Sequence, residues 1–492
     1  MSLAMGAFLS GCSGNGKSTT ASTPAPQIQN INSSTTPTSP ISLPVEINGS
    51  NFQATPGKVT FTQGNISVDV TPTASTWSDT GIVAVVPAGN GTTNFTVPGT
   101  VNVTVGTSGG TSNAVTINLV GTFTFNPSAM GWSTTMPLPK ALTGLRAVAV
   151  PGASSTSAFA VVTGGFDGTA NTKTVWVNNL NQDGTVGSTT NTAWTTISTN
   201  PLPTTLAHHA MAEADDTNSP VSVGKRFVYV IGGQVNATDL PGGTSAIYMA
   251  SVDSTTGALS TWTTLTNPLP KSLLGMSAIV HNGYLYVAGG LDTNGNPVAS
   301  VYSAPVNSDG TIGTWTTATN SLLTPRSFGE MFVFGGNIYF VDGDPVGSNV
   351  APNLQSVGDK SVYFATAVRG AIGTWTPNGN STIHNTAKGL LFVADGQVIS
   401  GEGVYTGSVG SGEMETSTVN GSNTSNSALT SFNGLTGSTA PKANVYNAAG
   451  LTSPIVTSAK APRFMILGGQ ALTGTTGPGG ALSNTVYYNN MP

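Results

Sequence analysis

An ordered set of parts recurs along most of this chain. A glycine pair ends an apolar run, an aromatic-bearing run follows, and then a glycine-rich turn leads into a second aromatic. The glycine sites are Gly164-Gly165, Gly232-Gly233, Gly289-Gly290, Gly343 with Asp344, Gly401 with Glu402, and Gly468-Gly469. The first aromatics are Trp176, Tyr248, Tyr302, Tyr363 and Tyr487-Tyr488; the fifth unit is eroded and has "METSTV" instead. The second aromatics are Trp194, Trp262, Trp315, Trp375 and Phe432. A repeat of this length made of short β-branched runs means stacked β units, none of which can bury its faces alone. Runs such as "RFVYVIGG" and "GYLYVAGG" are apolar on consecutive residues, as expected of strands covered on both faces. The "DGTVG" and "DGTIG" stretches supply hairpin turns.

Six units in this order resemble the kelch repeat. The resemblance covers about 370 residues. It implies a β-propeller built from four-stranded antiparallel blades. The last unit ends without an aromatic fourth strand, whereas Trp132 in "AMGWSTTMPLP" has no glycine pair before it. The two halves complete one another, so the expectation is a six-bladed propeller over 121–492, closed where the segment around Trp132 pairs with the C-terminal strand. Closure leaves no exposed sheet edge.

Residues 43–120 have a different texture. Short alternating runs bounded by Gly, Pro or Asn predict an antiparallel sandwich of about seven strands. "EINGSNF" (46–52), "WSDT" (77–80) before "IVAVVP" (82–87), and "SNAV" (112–115) resemble the immunoglobulin-like IPT/TIG family. That resemblance implies a spacer or binding module. Trp77 reads as a core residue.

Composition limits the partners. Charged residues make up 7% of the chain and the net charge is −5, so no basic surface attracts phosphates and nucleic acid is not an expected partner. No internal apolar run reaches the ~18 residues of a membrane-spanning helix. The single cysteine, Cys12, excludes internal disulfides and cysteine-based metal clusters. Its setting, "LSGC" after "LAMGAF", resembles the lipobox of bacterial lipoproteins, although no Lys or Arg precedes the apolar run. The resemblance implies signal residues 1–12, lipid attachment at Cys12 and a place in the bacterial cell envelope, at the outer membrane or cell surface. Residues 13–42, rich in Ser, Thr and Pro, are expected to form a disordered tether.

Candidate site residues come from the segments joining each outer strand to the next inner strand: "LPKALTGLR", "LPTTLAHH", "LPKSLLGM", "LLTPRSFGE", "TIHNTAKG" and "STAPKAN". In propellers these segments surround the central channel, which places Arg146, His209, Met276, Glu330, Lys388 and Asn444 there as ligand-binding candidates. The sequence points to no cofactor and no metal. Among kelch propellers the copper-dependent galactose oxidase is excluded, because its Tyr–Cys crosslink has no cysteine here within the propeller. Adjacent His208 and His209, read as extended, point to opposite sides. "DTNGNP" (292–297) lacks the downstream bidentate Glu of a calcium loop, and "GNGKSTT" (14–20) has no preceding strand to make it a phosphate loop. The leading expectation is noncatalytic binding of a glycan, surface protein or matrix component. The alternatives are mutarotase-like sugar chemistry in the channel, by Arg146, Glu330 and His209, and a structural coat subunit.

Overall fold

A computed structural model describes residues 23–489 apart from 32–36, 42–43, 121–129, 155, 188–192, 198–199, 216–218, 223, 238–242, 335–336, 347–359, 383–385, 395–396, 402–403, 406–413, 419–428, 436–444, 456–462 and 474–476. The described residues are almost wholly β, with one short 3-10 turn at Ala74–Thr76. No described helix is long and apolar enough to cross a membrane.

The N-terminal unit has two sheets. One pairs Gln27–Ile31, Pro44–Ser50 and Gly81–Val85; the other runs Thr38–Pro40, Val115–Val120, Gly99–Thr107, Lys58–Gln63 and Ile66–Val70. Ile47, Phe52, Phe61, Ile82, Val103 and Ile117 fill the space between them. Trp77 is buried there, its indole donating to the carbonyls of Phe52 and Gln53. The expected tether is too long by this structure. Gln27–Ile31 pairs with Pro44–Ser50 and buries Ile28 and Ile31, so the folded unit starts before residue 43. The alternation in "QIQNI" carries that strand, and the polar sequence around it masks the signal.

Five four-stranded antiparallel arrays and one of five strands follow, of the kind that makes propeller blades. The first is Arg146–Pro151, Ala158–Thr163, Val175–Leu180 and Thr195–Thr196. The innermost strands of the others are Ala210–Asp215, Ser277–His281, Glu330–Phe334, Leu390–Ala394 and Ala449–Thr452. The eroded fifth unit has the same order: Leu390–Ala394, Gln397–Gly401, Met414–Thr418, Asn433–Leu435. The sixth runs Ala449–Thr452, Phe464–Leu467, Val486–Asn489 and then Trp132–Thr135. Thr134 lies opposite Tyr487, and Trp132 opposite Asn489.

Packing between arrays repeats one device. In the first four arrays the turn after the third strand carries a glycine at positive φ, and an aromatic ring of the preceding array lies where its Cβ would be. Gly184 meets Tyr488, Gly257 meets Phe159, Gly310 meets Phe227 and Gly370 meets Tyr284. Any side chain there would displace a ring buried between two sheets. Two of the tryptophans before the fourth strands make a second tie, donating back to the previous array: Trp315 to the Asn267 carbonyl and Trp375 to that of Asn320, each at 3.2 Å.

The innermost strands neighbour one another in cyclic order, with Arg146–Pro151 beside both Ala210–Asp215 and Ala449–Thr452. Two residues before each of them stands a residue in the left-handed conformation: Gly144, His208, Gly275, Phe328, Lys388 and Asn447, with φ between 53° and 63°. Their backbones form a closed circuit. His208 N–H donates to Gly144, Gly275 to His208, Phe328 to Gly275, Lys388 to Phe328, Asn447 to Lys388, and Gly144 to Asn447, at 2.7–3.2 Å. Four of the six are not glycine, so each carries local strain of about 1 kcal/mol or more that the circuit holds in place.

Two outcomes are expected. Removing residues from Leu482 onward takes away the third strand of the sixth array and should abolish cooperative melting in calorimetry or cause aggregation. Asn447→Val should lower stability by about 1–2 kcal/mol relative to Asn447→Gly in denaturant titrations, because a β-branched residue tolerates φ near +53° least.

Candidate functional site

Two residues beyond the left-handed circuit, each inner strand begins, and its first side chains surround the axis. Arg146 opens the inner strand of the first array and Glu330 that of the fourth, and their side chains meet. Arg146 Nη2 lies 3.6 Å from Glu330 Oε1. Around them is a cavity of about 150 Å³, lined otherwise by Ala147, Ala210, Met211, Met276, Ser277, Ala278, Leu390, Leu391 and Gly450. Arg146 and Glu330 are thus the only charged side chains among its lining residues.

Both charges are held from behind. Arg146 Nε donates to the His209 carbonyl at 3.1 Å, leaving its far nitrogen directed at Glu330. Ser277 Oγ accepts the Met331 N–H at 2.9 Å and hydrogen-bonds the Glu330 carboxyl. Burial raises the carboxyl above the ordinary glutamate range, against the opposing pull of Arg146 and Ser277. The side chain nonetheless keeps 31% of its surface accessible within the channel, so water moderates that shift.

The six sequence candidates do not form one site. Arg146, Met276 and Glu330 line the cavity. His209 is fully buried in the wall behind Arg146, its ring Nε2 and the Thr163 hydroxyl 2.8 Å apart. Burial, with Arg146 nearby, depresses it to about 3, so it is neutral and carries its imidazole away from the cavity chemistry expected of it. Lys388 belongs to the left-handed circuit, with its Nζ 4.5 Å from the centre of the Phe328 ring. Burial lowers its ammonium to about 7, while Asp344 pulls the other way. Asn444 and Cys12 lie outside the described residues. The candidates were aligned by loop, but the circuit shows that Arg146 and Glu330 share one level, His209 and Met276 lie one residue earlier, and Lys388 two. The extended reading of His208-His209 also fails: His208 has φ of 55° because it is a circuit residue. Ser277 was missed, since one serine among so many gives no signal. Among the described residues no group of His, Cys, Asp and Glu is placed to hold a metal ion.

No protein-family model matches this chain, and no curated protein matches it. Among solved structures, one titled "Structure of YjhT" aligns at 13% identity with a TM-score of 0.46, over 72% of this chain and 96% of that one.

His209 yields a pH test. Its depressed value means its contribution to stability is complete above about 6.5 and is lost as pH falls from there toward 3. His209→Gln should flatten that part of the acid arm of a melting-temperature profile, and an unchanged arm would show that His209 does not carry it.

Proposed function

We propose that this chain is a noncatalytic binding protein: an immunoglobulin-like spacer followed by a six-bladed propeller of kelch type. The cyclic contact of six inner strands, the six-membered backbone circuit and the pairing of Trp132–Thr135 with Val486–Asn489 support the architecture. The binding site in this reading is the axial cavity, and the observation that carries it is the Arg146–Glu330 pair in an otherwise uncharged wall. Arg146 offers donors and Glu330 an acceptor, a pattern that matches the paired acceptor and donor character of neighbouring hydroxyls. A cavity near 150 Å³ is small beside the ~300–1,000 Å³ of drug-sized sites, which restricts it to about one ring. The ligand is therefore a small hydroxylated molecule or the terminal unit of a glycan, not a length of chain. Lipid attachment at Cys12 and a tether leading to the strand Gln27–Ile31 complete this reading, in which the protein belongs to the bacterial cell envelope.

Glu330 supports a second reading. A carboxyl raised above the ordinary glutamate range by burial and facing the cavity is suited to proton transfer on a sugar, as mutarotase-like chemistry requires.

Titration calorimetry with a monosaccharide panel separates the two. Binding that falls at least tenfold in both Arg146→Ala and Glu330→Ala, with no change in the rate at which sugar anomers interconvert, supports the first. Anomer interconversion accelerated by the wild type and lost in Glu330→Gln, followed by NMR, supports the second. Absence of both binding and turnover would remove the cavity from consideration.

A further inference from the structure

The strand Pro44–Ser50 is buried on both faces. Val45 and Ile47 point into the sandwich core, whereas Glu46 and Asn48, on the opposite face, are 3% and 6% exposed. What covers Glu46 is the later part of the chain. Asn282 Nδ2 donates to Glu46 Oε2, and His281 Nε2 lies 3.7 Å from the same oxygen. His281 ends the inner strand of the third array, and Asn282 sits in the turn that follows. Gly81, in the strand beside Pro44–Ser50, has Val368 of the fourth array 3.5 Å from the position its Cβ would take. The sandwich thus rests on the ends of the strands opposite the left-handed circuit.

The other groups facing this contact are few. Arg369, in the turn after Val362–Val368, attracts the Glu46 charge, and Tyr286, whose hydroxyl accepts the Gly370 N–H at 2.9 Å, is near enough to feel it. Tyr284 lies beside Tyr286, with ring centres 6.3 Å apart.

We propose that Glu46, His281 and Asn282 form a proton-dependent clamp: the N-terminal unit is held against the propeller unit while Glu46 and His281 together carry one proton, and is released as that proton is lost. Removing the proton leaves a charge in a contact with little water, and burial outweighs the attraction of Arg369. Two directions support this. Burial raises the Glu46 carboxyl to about 8 and lowers His281 to about 4. The Glu46 contribution to docking is present at low pH and lost as pH rises toward 8. The His281 contribution is present above about 6.5 and lost as pH falls toward 4. Between roughly 4.5 and 6.5 the two trends cancel. Above that range only Glu46 changes, so docking weakens by up to about tenfold per pH unit until about 8.

The test uses the full chain and Glu46→Gln, with domain separation read by small-angle X-ray scattering and hydrogen exchange of residues 44–50 and 281–284. At pH 6 the two proteins should be equally compact. At pH 8.5 the wild type should gain radius of gyration and lose protection at both segments, while Glu46→Gln does neither. His281→Gln should keep the alkaline release. A wild type unchanged between pH 6 and 8.5 overturns the clamp. So does a Glu46→Gln or His281→Gln protein that is open at every pH, since that outcome means a charged pair holds the units together. Unaltered hydrogen exchange of the core strand 99–107 in Glu46→Gln checks that the sandwich itself is folded.

Discussion

Six backbone hydrogen bonds joined end to end are the constraint on which the rest of this structure depends. Each residue of the circuit donates to the unit before it and accepts from the unit after it, so every member needs two neighbours at the same height. A neutral backbone bond contributes roughly 1 kcal/mol net, and six would not by themselves hold six sheets. Their role is to fix register. With the circuit formed, each inner strand starts two residues later at a common level, and the first side chains of all six meet at the axis.

The candidate site is a consequence of that levelling. Arg146 and Glu330 are separated by 184 positions (330 − 146) yet stand at equivalent places in the first and fourth arrays, where their side chains meet. His209 stands one residue before its strand, and its imidazole is buried in the wall against the Thr163 hydroxyl. Among the described residues the other end of the strands has no such circuit, and the turn at Asn282 meets the N-terminal sandwich there. The molecule therefore has two unlike ends: one closed by its own backbone, the other covered in part by another unit through a buried carboxyl.

How much of this was legible beforehand depended on the kind of signal. The all-β class, the repeated antiparallel sheets and the pairing of the segment around Trp132 with the last strand followed from spacing, because glycine pairs and aromatics recur wherever a strand must end or a sheet must be covered. The turn glycines show the same logic at finer grain: Gly310 is required by the Phe227 ring of the array before it. Less visible was the strand Gln27–Ile31, where two isoleucines sit among polar residues and acquire meaning only when Ile47 is found beside them. The site was half legible. Arg146 and Glu330 stood out as rare charges, but Ser277 did not, and His209 was grouped with them by loop position alone.

The sequence by itself determined the repeat, the strand-forming runs, the turns and the scarcity of charge, since these rest on local sterics and on which residues can be buried. Tertiary structure alone decided which residues stand at one height and which face one another. Those facts depend on hydrogen bonds between units tens of residues apart. Glu46 is the clearest case: nothing around it in the chain marks it, and only the docking of His281 and Asn282 upon it turns an ordinary surface carboxylate into a buried one.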